Sequence, residues 1–283
     1  MTLFTLLLVL ICERLFKWGE HWQLEHRLEP LFRRLHHFSL VRTIGLVVLI
    51  MLVFTLFLHA IEGLVFGVLS LIVWIVVGVL CIGAGKSRQH YRDYLHSANQ
   101  QDVTGHQAMA EELSTIHPMS STITDKLYLR ELQNALLWIN YRFYLAPLFW
   151  FVVGASYGPV FLLGYAFLRA WQGWLAKQDR QQREQSGVDV LLFWIDWIPV
   201  RVAGLAYAFL GHGEKALPAW GRFMTDIRHK PYHVLSVLAQ FSLEREPCKD
   251  KVEMPRVAVA LAKRITLVIV LITAVLTLAG VIL

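Results

Sequence analysis

The chain has 283 residues, 56% of them hydrophobic, with a mean hydropathy of +0.48, a net charge of +6 and a pI near 9.3. A soluble globular domain is about half apolar or less. Here the apolar residues are bunched, with no Asp, Glu, Lys or Arg between Arg42 and Glu62, between Glu62 and Lys86, between Arg142 and Arg169, or from Ile265 onward. About 20 apolar residues, at about 1.5 Å rise each, cross roughly 30 Å of hydrocarbon, so four stretches pass the length test and a soluble globular protein is excluded. The basic balance matches Lys and Arg flanking membrane helices on the cytoplasmic side, and nucleic acid is not expected as a partner. Cys12, Cys81 and Cys248 form no CxxC spacing, so neither a disulfide framework nor a cysteine zinc site is expected.

In chain order, residues 1–16 read as an uncleaved first helix with its amino end outside. Arg14 and Lys17 follow the apolar run instead of preceding it, and no small-residue cleavage pattern comes after. Residues 17–42 are charged and cytoplasmic, with apolar residues near a 3.6 period and Pro30 expected to bend or divide the run. Residues 43–61 and 63–85 read as two spans. The link between them, His59-Ala60-Ile61-Glu62, has no Lys or Arg, while Arg42, Lys86, Arg88 and Arg92 lie at the other ends; the link is therefore outside the cell.

Residues 86–142 read as cytoplasmic, with turns at Asp102–Gly105 and His117–Ser121 and a short helix over Ala108–Ile116. A longer helix opens at Asp125 and runs into the membrane through Leu136-Leu137-Trp138. Residues 144–174 read as a hairpin, re-entrant or fully crossing, with its tip near Tyr157-Gly158-Pro159. A single span would instead place Arg169, Lys177, Arg180 and Arg183 outside. After a polar loop, residues 188–210 are apolar but interrupted by Asp189, Asp196, Pro199 and Arg201, which predicts a broken helix. Residues 211–262 read as cytoplasmic and amphipathic, and Lys263-Arg264 anchor a last span over 265–283. The fold class is all-α: one polytopic helical membrane domain with amphipathic cytoplasmic helices.

Ionisable groups at membrane depth are the candidates for function, because an uncompensated charge there is costly. Asp196 is a polar contact for a ligand head group, a metal or a proton, or else an N-cap before Pro199 with Arg201 as charge partner. Asn140 and Arg142 grip an anion where the helix enters the bilayer, or else Arg142 snorkels within a Tyr and Trp belt. Among His21, His26 and the nearby glutamates only His21 and Glu25 have i,i+4 spacing, so no metal is assigned. Gly211-His212-Gly213-Glu214-Lys215 lacks the GKS/T ending of a phosphate loop and reads as a turn. No GxSxG and no cofactor motif occurs, so no catalytic residue and no cofactor are assigned.

Several longer runs carry a resemblance: Glu13-Arg14-Leu15-Phe16-Lys17, Gly19-Glu20-His21-Trp22-Gln23-Leu24, the stretch Leu129 to Asn140, Ala146-Pro147-Leu148-Phe149-Trp150, and Gly211 to Trp220. Together they resemble the AmpE family of enterobacterial inner-membrane proteins, end to end. The resemblance implies a regulatory protein of the β-lactamase induction locus, linked to the response to β-lactams and to the muropeptide-trimming amidase AmpD. More remotely, Ala146-Pro147-Leu148-Phe149 and Asp196-Trp197-Ile198-Pro199-Val200-Arg201 are similar to runs of adenosylcobinamide-phosphate synthase. Where that family has acidic residues before Ala-Pro-Leu-Phe, this chain has Trp138 and Arg142, and where it has Asn and Asp after the next turn, Arg169 and Gln172. The missing carboxylates speak against the same reaction.

Three functions compete: a regulator of cell-wall stress, a membrane enzyme acting on an anionic precursor, and a transporter. The last ranks lowest, since the chain is short and has no repeat. The expected partners are the lipid bilayer and a muropeptide or other anionic metabolite. The candidate ligand-binding residues are Glu13, Asn140, Arg142, Arg169, Asp196 and Arg201.

Overall fold

The computed structural model describes residues 2–16, 24–35, 39–62, 67–100, 109, 125–178, 180–210, 213–243 and 250–280. The elements are α1 (Thr2–Phe16), α2 (Leu24–Arg34), α3 (Leu40–Ile61), α4 (Val68–Cys81), α5 (Gly85–Gln100) and α6 (Asp125–Asn140). A π-helical segment (Tyr141–Leu145) leads into α7 (Ala146–Val153), and a 3-10 turn (Ala155–Tyr157) leads into α8 (Gly158–Gln178). Then come α9 (Arg180–Ser186), α10 (Val188–Leu210), α11 (Gly213–Phe223), α12 (Pro231–Leu243) and α13 (Glu253–Leu278). The described residues contain no strand. The predicted turns at 102–105 and 117–121, the helix at 108–116 apart from Met109, and His21, His36, His37, His212 and Cys248 lie outside the described residues.

Among the described residues, four helical stretches are long and apolar enough to cross a membrane: Leu40–Ile61, Val68–Ala98 (its apolar part is α4, with the charged α5 continuing past it), Leu127–Val153 and Glu253–Leu278. On α3 the apolar side chains point outward rather than into a core, with Leu52 53% and Leu56 61% exposed. A surface of that kind is stable in hydrocarbon, not in water. The protein is a multi-pass helical membrane protein. Helix α1, with 15 residues, is about 22 Å long, below a full crossing.

The chain divides into two compact units. Unit 1 holds residues 1–85, 146–195 and 271–283. Its centre is α8, against which α2, α3, α4, α7 and α9 pack, while α1 lies on α4. Phe32 of α2 is fully buried between Phe167, Trp171 and Trp174 of α8, with ring centroids 5.6 to 6.3 Å away, and so holds an otherwise charged helix down. On its outer side Glu29 accepts a hydrogen bond from Arg33 at 2.9 Å, which holds the Glu29 carboxyl below its usual value. The hairpin of α7 and α8 closes tightly: a Cβ on Gly158 would lie 2.5 Å from the Phe151 carbonyl oxygen.

Unit 2 holds residues 86–145 and 196–270. Tyr94, Met109, Leu129, Leu132, Ala135, Leu136 and Met254 form its core, drawn from α5, α6 and α13 together with Met109, and α12 packs against both α6 and α11. Polar ties cross that core: Gln133 donates to the Met254 carbonyl at 2.9 Å, Gln240 to Asn134 at 2.7 Å, and Tyr94 to the Lys251 carbonyl at 3.1 Å.

Two helices differ from expectation. Helix α2 runs undivided through Pro30, which lies on its exposed side. Helix α10 is not broken: it runs without interruption from Val188 to Leu210 through Pro199. Away from water, losing one backbone bond costs less than opening several backbone groups with nothing to pair them.

Candidate functional site

In unit 2 the site is built on α6, the π segment, α10 and α13. Asp196 sits in an apolar stretch of α10 and is 3% exposed. Since α10 is continuous, Asp196 is in mid-helix and does not cap a helix start at Pro199. Its Oδ1 accepts the Tyr141 hydroxyl at 2.8 Å. Tyr141 is the first residue of the π segment and is fully buried. Its ring stacks on Trp138 at 5.0 Å, and Trp138 meets Tyr232 edge-on at 5.6 Å. Tyr232 donates in turn to Glu131 Oε2 at 3.2 Å; burial first, and the Glu131 charge second, push the Tyr232 hydroxyl pKa up.

Asn140 and Arg142 flank Tyr141. Asn140 donates to Thr266 Oγ1 at 3.3 Å, and Thr266 also back-bonds to the Ala262 carbonyl at 3.0 Å, which ties α6 to α13. Arg142 is half-buried in the π segment. Near the end of that segment Arg88 donates to the Tyr144 hydroxyl at 2.7 Å. A π turn carries one extra residue relative to an α-helix and recurs at functional sites. Here it gathers Asn140, Tyr141, Arg142 and Tyr144, four polar or ionisable side chains, on the apolar run Leu127–Val153.

Arg201 plays a different part. It is 4% exposed, and its guanidinium lies 3.9 Å from the centre of the Trp197 ring. It donates to the carbonyls of Trp197 (2.7 Å), Phe223 (3.0 Å) and Met224 (3.3 Å), and to that of Asp226. It does not pair with Asp196. It is a clamp that fastens the segment after α11 to α10, and the Trp220 indole donates back to the Arg201 carbonyl at 2.8 Å. The Asp226 carboxyl is held below its usual value by the Arg228 backbone N–H and by the His229 ring.

Unit 1 holds the other two candidates, Glu13 and Arg169. Arg169 is 3% exposed; it donates to the Cys81 carbonyl at the end of α4 at 3.1 Å and pairs with Glu25 of α2 at 3.3 Å. The Glu13 side chain lies against Gly83, where a Cβ would fall 3.2 Å from Glu13 Cγ. Both therefore meet the C-terminal end of α4, where a guanidinium satisfies an open carbonyl. Glu25, weighed in the sequence with His21 as a metal pair, is an ion-pair partner of Arg169, and His21 lies outside the described residues. Among the described residues no group of three His, Cys, Asp or Glu could hold a metal ion.

Tyr141 and Thr266 are the participants the sequence reading did not single out. For Tyr141 a signal existed: a buried tyrosine needs a partner for its hydroxyl, and Asp196 is the acidic group at comparable depth.

The family model "Regulatory signalling modulator protein AmpE" matches residues 1–283. A curated relative, protein AmpE of Shigella flexneri, is 57% identical over 281 residues, covering 99% of each chain. No solved structure matches the chain.

Proposed function

Since the chain belongs to the AmpE family of regulatory signalling modulators, we propose that it acts in the bacterial inner membrane on β-lactamase induction and the response to β-lactams. In this reading the polar site of unit 2 senses an anionic ligand of the muropeptide class, whose cytoplasmic level the amidase AmpD controls. Arg142 and Asn140 contact the anion, and the Tyr141–Asp196 hydrogen bond holds the π segment that presents them. The observation that carries the proposal is this buried bond of 2.8 Å at a π-helical segment inside an apolar run. A helix needed only to cross a bilayer has no use for either feature, whereas polar groups at that depth are a functional signature. Arg201 positions the segment after α11, and Glu13 and Arg169 support the ligand response indirectly by securing α1, α2 and α4 in unit 1.

The test uses a strain lacking the native gene, complemented with the wild type, Arg142→Gln or Asp196→Asn at matched membrane abundance. Induction of the chromosomal β-lactamase by a β-lactam is the readout. Both variants are expected to alter the induction ratio. Wild-type induction by both, together with unaltered muropeptide stabilisation of the purified proteins, refutes the site.

A further inference from the structure

Helix α11 and the segment after it divide into three sectors. Ala216, Trp220 and Phe223 recur at i, i+4 and i+7 on the side that faces the protein; Ala216 is fully buried and Trp220 bonds back to α10. About a third of a turn away, Leu217, Gly221 and Met224 share a second side at the same spacing. Leu217 is 36% and Met224 39% exposed, and a Cβ placed on Gly221 would meet nothing within 4 Å. Ile227, held just beyond by the Arg201 clamp on the carbonyls of Phe223, Met224 and Asp226, is 57% exposed. The third sector is basic: Lys215 and Arg222 lie on one side of α11, and Arg228 and Lys230 flank Ile227, all exposed. Residues 213–230 hold these four Lys and Arg against two acidic residues, Glu214 and Asp226, and the Asp226 carboxylate is engaged by Arg228 and His229.

We infer that α11 and residues 224–230 form an interfacial docking surface for an anionic bilayer: Leu217, Met224 and Ile227 enter the headgroup boundary, and Lys215, Arg222, Arg228 and Lys230 lie at the lipid phosphates. A helix with one protein-facing, one apolar and one cationic sector has the pattern of an in-plane membrane helix. Continuity with lipid favours the bilayer over a soluble partner. The preceding helix ends at Phe209 and Leu210, which are 69% and 40% exposed, and α11 begins at Gly213. This surface goes beyond the regulatory reading above and stands without it.

The full-length protein, carrying a benzophenone amino acid in place of Ile227, is placed in nanodiscs of phosphatidylcholine alone or mixed with phosphatidylglycerol. Position 209 serves as the lipid-contact reference and Asp93 of α5 as the aqueous one. Photolysis is expected to give lipid adducts at 227 approaching those at 209 in the anionic discs and clearly fewer in the neutral ones. Arg222→Gln and Lys230→Gln should each lower the adduct about fivefold, the share one basic residue contributes at an anionic surface. Adducts at 227 no greater than at 93, adducts independent of phosphatidylglycerol, or crosslinks to protein in place of lipid would each overturn the inference. Tryptophan fluorescence thermal melts confirm that every variant compared is folded.

Discussion

Replacing Tyr141 by Phe removes one oxygen and keeps the ring that stacks on Trp138. The hydroxyl donates at 2.8 Å to a carboxyl oxygen of Asp196, and both residues are buried, at 0% and 3% exposure. A hydrogen bond to a charged acceptor contributes about 1.5–3 kcal/mol net, and removing only the donor also leaves the buried acceptor short of a partner. A loss near 2 kcal/mol lowers the melting temperature of a protein of this size by about 5 °C. The assay is thermal unfolding of the detergent-solubilised protein. The control is Tyr207→Phe: Tyr207 is equally buried, but its hydroxyl has no hydrogen-bond partner among the described residues, so that change should be neutral or slightly stabilising. Asp196→Asn should cost less than Tyr141→Phe, because the amide oxygen still accepts from Tyr141. The double variant Tyr141→Phe/Asp196→Asn should reveal a coupling of about 1 kcal/mol or more. Equal effects of Tyr141→Phe and Tyr207→Phe, or additive effects at 141 and 196, would refute the reasoning.

Gly158→Ala should destabilise the α7–α8 hairpin by about 1–3 kcal/mol, because its Cβ would fall 2.5 Å from a backbone oxygen that has no rotamer to escape by; a lower thermal midpoint with unaltered helical content checks it. Arg169→Met should cost more than Glu25→Gln, since Arg169 is 3% and the Glu25 side chain 34% exposed. After discounting for that exposure the difference is about 1–2 kcal/mol, read from the same melts. Acid should loosen the segment 224–230. The Asp226 carboxyl is held below its ordinary 3.8, so its contribution is complete above about that pH and is lost as pH falls through the lowered value. Hydrogen exchange at 224–230 should accelerate only in that acid window, and Asp226→Asn should abolish the acceleration.

The membrane spans were legible because hydrocarbon imposes length and apolarity on every crossing residue, and the charge-free runs after Arg42 and Glu62 satisfy both. The hairpin was legible from Gly154 to Pro159 for the same reason that it closes: small residues allow backbone to approach backbone. Pro199 misled because proline is weighed by its cost in water, where a broken helix can solvate its ends. Partners were harder to read than elements. Arg201 looks from sequence like a charge partner for Asp196, yet its guanidinium reaches carbonyls 22 to 25 residues further on, and backbone acceptors leave no trace in residue type. Likewise Arg169 meets Cys81 through its carbonyl, not its thiol.

Arg201 and Asp196 sit five residues apart on one helix, and their surroundings assign them opposite roles. Among the described residues every hydrogen bond the Arg201 guanidinium donates ends on a carbonyl that belongs to the fold, so the residue is structural: removing it exposes acceptors, and no ligand is required to explain its burial. The Asp196–Tyr141 bond adds little that a well-packed apolar pair would not, because desolvating a carboxylate offsets most of what the bond returns. Stability therefore does not account for that pair, and the π segment deepens the contrast. An extra residue in the helix turns the side chains before and after it relative to each other, at the cost of regular backbone bonds. In an apolar run with a single purpose, both features would be disadvantages. In the regulator proposed above they supply what a uniform helix lacks: polar side chains held at one place within an apolar run, where a ligand can meet them.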